Sequence, residues 1–308
     1  ALWLVPHCTN KFLRFDFGTQ TFTSHALPAG IGSKIRMVGG AMVGPENLFV
    51  VPQGARAVVG VNTRTGSATA YTKFPTGFVP SSGSAFSGGI AIRDSELWMV
   101  PAHANMVVKF IPATPDEMVG FSNFPPKTTT TEKKFAGGAL CRDGNIWMAP
   151  LDNAAVVHVR PSDGEMKSFD HWPHFPRNPE MEMKFQAGLC SGNFFWMSPH
   201  FSPMVVAVDI YSGAMKGFAK WPQEATATAN GMFSGITASA DGSLYLIPHQ
   251  ATRIVRLRNN GGGFNDDAAR RCGIITPMPV RCLNLPAQNR LGHSGSMMIA
   301  PLRQDSFQ

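Results

Sequence analysis

No run of apolar residues in this 308-residue chain approaches the roughly 18 that a membrane-spanning helix needs, so no membrane span is expected. Cysteine is sparse and unpatterned: there are five (Cys8, Cys141, Cys190, Cys272, Cys282), an odd number with no CxxC spacing, which argues against a disulfide framework and a zinc knuckle. A reducing compartment is the simpler expectation. Cys141 and Cys190 then read as small buried hydrophobes, and Cys272 and Cys282 stay open as a pair that can bridge. Charge is thin too, at 15% of residues, and the formal excess of +7 is spread along the chain without the dense aromatic-laced basic patch of a nucleic-acid binder. The opening ALWLVPHCTN has no basic leader, and residue 1 is Ala rather than Met, so a trimmed chain or a removed leader is expected. The GGG at residues 261–263 is followed by no helix carrying Lys-Ser/Thr, so it is no phosphate loop. No cofactor is expected.

What is plentiful is Gly (31), Pro (24) and Phe (22), a composition suited to short buried strands between turns. These residues recur in step. An aromatic followed three places later by Pro appears as Trp3/Pro6, Phe49/Pro52, Trp98/Pro101, Trp147/Pro150, Trp196/Pro199 and Tyr245/Pro248, the prolines spaced by 46 and then four times by 49. Ahead of each aromatic stands a small-residue pair with an apolar run, such as GGIAI at Gly88 or GGALC at Gly137, and then a turn sequence such as RDSE or RDGN. Behind each Pro come a polar loop, a β-branched run (Val107 to Ile111, Val156 to Val159), a second turn and a fourth run. That fourth run often closes on aromatic-Pro, as at Phe74-Pro75, Phe124-Pro125, Trp172-Pro173 and Trp221-Pro222.

Each repeat is therefore four short antiparallel strands, with Pro ending the second because it has no N–H for a ladder. Such units bury both faces only by stacking, and radial stacking gives a propeller. The expected fold is all-β, a single six-bladed β-propeller domain over residues 1–308. Its repeats lie approximately at 1–38 with 294–308, 39–87, 88–136, 137–186, 187–234 and 235–293. LWLVP at the N-terminus lacks its first strand and SGSMMIA (Ser294 to Ala300) lacks its second, so the two ends are expected to share one blade. The recurring aromatics are expected to pack between blades.

Units such as GGALCRDGNIWMAPLDNAAVVHVRPSDGEMKSF resemble the blades of streptogramin-lyase and NHL-type propellers across the whole chain. The resemblance implies fold. The Met-x-Pro that follows Trp here, where the lyases carry Thr-Glu, carries no catalytic residue across.

In a propeller the loops after the second strands share one face with the connections between blades. They read HCTN, QGAR, AHAN, LDNA, HFSP and HQAT, and place His7, His200 and His249 at one slot; His293 stands in the connection to the closing strand. Gathered imidazoles bind a metal or act as acid and base; repeated outward-pointing loop histidines, diverging from one blade to the next, are the plainer alternative. Lys34, Lys134 and Lys184 precede the small-residue pairs and either attract anions to that face or are solvated loop residues. The segments 126–134, 174–184 and 259–272 break the repeat and are candidate protein-partner contacts. Two functions follow as expectations: a non-catalytic interaction scaffold, a subunit of a larger assembly, and alternatively a propeller lyase or lactone hydrolase with a His-lined site. A mitochondrial or other organelle interior is the expected compartment, with the cytoplasm as the alternative.

Overall fold

The computed structural model describes residues 1–7, 9–29, 31, 37–54, 56–79, 84–114, 117–129, 133–174, 182–222, 231–258 and 273–274. Every regular element among them is a β-strand. The chain divides into two compact units between Asn123 and Phe124.

The first unit holds three antiparallel sheets. One is β1 (Leu2–Leu4), β2 (Lys11–Asp16) and β3 (Thr21–Ala26); the next is β4 (Met37–Met42), β5 (Asn47–Pro52), β6 (Val58–Asn62) and β7 (Ala68–Tyr71); the third is β8 (Phe86–Ile92), β9 (Glu96–Pro101), β10 (Val107–Phe110) and β11 (Met118–Phe121). The second unit repeats the pattern. It has β12 (Phe135–Leu140), β13 (Ile146–Pro150), β14 (Val156–Val159) and β15 (Met166–Phe169), then β16 (Phe185–Ser191), β17 (Phe194–Pro199), β18 (Val205–Asp209) and β19 (Met215–Phe218), and last β20 (Phe233–Ala238), β21 (Leu244–Pro248), β22 (Val255–Leu257) and β23 (Gly273–Ile274). In each sheet the strands lie side by side in chain order. The β1–β2–β3 sheet has three described strands; Ser294 to Ala300, expected to add its fourth, lie outside the described residues.

Local chemistry accounts for the hairpins. Arg93 (φ 50°) and Asp94 (φ 55°) are both left-handed, as a two-residue turn matching the twist of its strands requires, and Gly144 (φ 80°) serves the corresponding turn before Trp147. Pro52, Pro101, Pro150, Pro199 and Pro248 each end their strand opposite the first residue of the sheet's first strand: Met37, Phe86, Phe135, Phe185 and Phe233. A register shift follows each of these pairs, so proline sits where the ladder is already irregular and its missing N–H costs little.

Neighbouring sheets within each unit bury a common layer. In the first unit Phe49 and Val51 pack with Phe86, Met99 and Phe110, and Phe12 packs with Met37 and Val50. In the second, Trp147 joins Phe195 and Met197, while Trp196, facing the other way along β17, joins Phe233 and Leu246. This alternation is the period-2 rule for a strand buried on both faces. Trp98 and Trp147 are fully buried, so the recurring aromatics do pack within and between sheets. The aromatic-Pro ends add a second tie. Trp172 stacks on Phe185 (centroids 5.9 Å) and Trp221 on Phe233 (5.7 Å), while their indole N–H groups donate to the Ala154 and Pro203 carbonyls, each at 2.8 Å.

One expectation is corrected. Cys141 and Cys190, read from sequence as buried thiols, form a disulfide with Cα atoms 5.3 Å apart, joining the β12–β15 and β16–β19 sheets. The odd cysteine count hid a pair one repeat apart. Cys8, Cys272 and Cys282 lie outside the described residues.

Candidate functional site

The loops after the second strands and the connections between sheets meet at one end of each sheet, as expected. The side-chain oxygen of Asn105 accepts from the Val79 N–H (3.0 Å), and that of Asn153 from the Thr129 N–H (2.9 Å). At this end a chain of backbone hydrogen bonds steps from sheet to sheet. In the second unit Leu151 N–H donates to Lys134 O (2.9 Å), Lys184 to Leu151 (2.8 Å), His200 to Lys184 (2.9 Å), Met232 to His200 (2.8 Å) and His249 to Met232 (3.0 Å). Within this unit the residues after Pro150, Pro199 and Pro248 are thereby drawn into one continuous arc. The first unit shows the same step where Ala85 N–H donates to Gln53 O (2.7 Å).

That arc makes side chains at the slot converge. The rings of His200 and His249 lie 5.5 Å apart, although a full repeat separates them. His7, in the first unit, makes the equivalent contact with Gln53, its Nε2 3.1 Å from Oε1. These two pairs of slot neighbours touch. His293 lies outside the described residues.

His200 and His249 have different surroundings. His200 is 5% exposed, and its Nδ1–H donates to the Phe233 carbonyl at 3.1 Å; because a carbonyl only accepts, the proton belongs on Nδ1 and Nε2 carries the lone pair. Burial pushes the imidazole below its usual 6.5, against the Phe233 hydrogen bond, which acts to raise it, and the neighbouring His249 adds to the lowering. Gly231 (φ +85°) closes over the ring so tightly that a Cβ there would lie 2.6 Å from Cε1. His249 is solvent-exposed. The pair therefore joins a nearly buried imidazole of defined tautomer to a solvent-exposed one.

Lys134 and Lys184 are buried at the same arc, 2% and 1% exposed, rather than solvated. The Lys134 ammonium lies 6.0 Å from the centre of the Phe124 ring, and burial lowers its pKa from 10.5. Lys184 Nζ approaches the Asp152 carbonyl at 3.5 Å. Asp152 uses Oδ1 to accept the Met183 N–H (2.7 Å), fixing the connection ahead of β16. Lys34 lies outside the described residues. Among the described residues no group of three or more His, Cys, Asp and Glu is placed to hold a metal ion.

Sequence reading found the slot but missed Gly231 and the Phe233 carbonyl, which seat His200. Gly231 lies in the connection between the β16–β19 and β20–β23 sheets, where spacing carries no signal, and a carbonyl carries no residue identity at all.

No family model matches the chain, and no curated protein matches it by sequence. Solved structures do. Virginiamycin B lyase from Staphylococcus aureus is similar over 84% of this chain and 78% of its own, at 17% identity and a TM-score of 0.63. A catalytically inactive histidine-to-alanine variant of that lyase, solved with quinupristin, gives the same coverage at 18% identity and 0.63. The extracellular domain of a one-component system from B. thetaiotaomicron matches 78% of this chain and 30% of its own at 15% identity and 0.56. At these identities the likeness establishes the fold: an all-β propeller of the streptogramin-lyase type, whose six blade-like sheets are those described above.

Proposed function

We propose, starting from a propeller fold shared with virginiamycin B lyase, that this chain is a ligand-binding propeller that handles a proton on a small molecule at the His200–His249 end. The chemistry is of lyase or lactone-hydrolase type. The observation that carries this reading is the seating of His200: nearly buried, neutral, with its Nδ1–H held by the Phe233 carbonyl, beside an accessible second imidazole. A base poised this way has its lone pair free at neutral pH, and His249 serves as the group that exchanges the proton with solvent. The catalytically inactive histidine variant of the lyase is consistent with such a role on this fold. The test is turnover of a panel of cyclic esters and depsipeptides, quinupristin included. His200→Gln is expected to lower the rate by roughly 10²–10⁴, the usual weight of a general base. Equal rates in wild type, His200→Gln and His249→Gln would remove the reading.

A second reading, the interaction scaffold, draws support from Phe17 and Phe22 on and beside β2 and β3, which are 56% and 61% exposed with Leu13 at 37%. Of its expected contact segments, 259–272 lies outside the described residues, as do parts of 126–134 and 174–184. Native size in gentle extracts separates the two: a free 33.3 kDa species counts against the scaffold.

A further inference from the structure

The Cys141–Cys190 bridge depends on an offset between repeats. Phe135 and Phe185 hold equivalent places at the start of β12 and β16, each opposite a strand-ending proline. Counting from them, Cys190 corresponds to Leu140, and Cys141 corresponds to Ser191. Cys141 is the residue just past the end of β12 and Cys190 lies within β16; successive side chains of an extended chain point to opposite faces, so the one-place offset turns the two toward each other across the gap between sheets. Cysteines at strictly equivalent places would point the same way and never meet. The Cα separation of 5.3 Å falls within the range that a disulfide spans without moving the backbone, and the loop it closes is a full repeat of 49 residues. The bridge stands in the buried layer that holds Trp147 and Phe195, with Cys141 itself 4% exposed.

It also lies away from the histidines. Cys190 pairs with Phe195 near the turn end of the β16–β17 hairpin, whereas His200 follows Pro199 at the opposite end.

We infer that the working form of this protein is oxidatively locked at Cys141–Cys190, and hence that it acts in a compartment where disulfides persist rather than in a reducing one. The bridge forms by exchange with a protein or small-molecule disulfide. A Cys thiolate attacks that disulfide and expels one thiolate, and the second Cys then displaces the other. Two protein thiols are oxidised to one S–S bond while the oxidant is reduced to two thiols, with both protons passing to those thiolates. Once made, the bond is shielded by the layer around it, and by closing a loop it removes conformational freedom from the unfolded chain, an effect that grows with the logarithm of loop length. The inference is independent of the proposed chemistry at His200.

The experiment takes protein from its natural source, blocks free thiols before any reduction, and digests with trypsin. A linked pair of peptides 135–142 and 185–216 is expected; both peptides singly blocked would overturn the inference. On the same protein, a reductant strong enough to open the bridge is expected to lower Tm by about 5 °C or more. Cys190→Ser, treated with the same reductant, is expected to match the reduced wild type. A wild-type Tm that does not respond to verified reduction would equally overturn the lock. Activity of His200→Gln is a separate readout, so the two proposals fail separately.

Discussion

The Nδ1 of His200 lies 3.1 Å from the carbonyl oxygen of Phe233, a residue 33 places later in the chain on the neighbouring sheet. This bond sets which nitrogen of the ring bears the proton, and it exists because Phe233 opens β20 just where the backbone arc joins Met232 to His200.

Stability is expected to fall below neutral pH through His200 and His158. Burial is the main cause that lowers both from 6.5; His158 lies against Trp147 and Phe169, with ring centroids 4.9 and 5.2 Å away. A base whose folded pKa is depressed binds fewer protons when folded than when unfolded. Its contribution is therefore complete above about 6.5 and is lost as pH falls through the folded values. Denaturant unfolding at pH 7.5 and 5.5 should show the loss, and His158→Gln with His200→Gln should flatten it. A slope unchanged in the double variant would contradict the assignment.

Gly231→Ala and Gly77→Ala separate backbone strain from steric exclusion. Both glycines are left-handed, at φ +85° and +78°, but a Cβ at Gly77 meets nothing within 4 Å whereas one at Gly231 strikes the His200 ring. Gly77→Ala is expected to cost about 1 kcal/mol and Gly231→Ala about 2–4 kcal/mol. An NMR shift of the His200 ring signals should accompany only the second.

Two tryptophans at equivalent places should respond differently to the same change. The indole N–H of Trp147 donates to Asp143 (3.0 Å) and that of Trp98 to Glu96 (2.8 Å), but Trp196 Nε1 is buried without an acceptor, its turn carrying Gly192 and Asn193 instead of a carboxylate. Trp147→Phe is expected to destabilise by about 1 kcal/mol more than Trp196→Phe, because only the former breaks a bond. Chemical denaturation of the two variants measures the difference.

Lys134→Met tests the buried ammonium. With its pKa lowered by burial, the wild-type lysine loses stability as pH falls below 10.5, since the unfolded chain binds its proton more tightly. The stability of the variant should therefore change less than that of wild type between pH 7 and pH 10.5. A large loss at pH 7 would show that the charge stabilises the fold.

Much of the architecture was legible because strands write themselves in short-range pattern. The 49-residue beat, the turn residues at Arg93–Asp94 and Gly144, and the strand-ending prolines each act within a few residues of themselves, and each falls where the pattern put it. The slot shared by His7, His200 and His249 was legible for the same reason. Whether its members met was not: a repeat assigns each residue an end of its sheet, but the distance between neighbouring sheets is an outcome of packing.

Local order, strand by strand, was thus written in residue identity, since backbone sterics and the period of two operate within a single hairpin. Folding in three dimensions settled the rest. The His200 tautomer depends on a carbonyl that no side chain advertises, the burial of Lys134 and Lys184 depends on what the connections cover, and the Cys141–Cys190 bond depends on two sheets facing each other at a spacing that only their shared apolar layer sets.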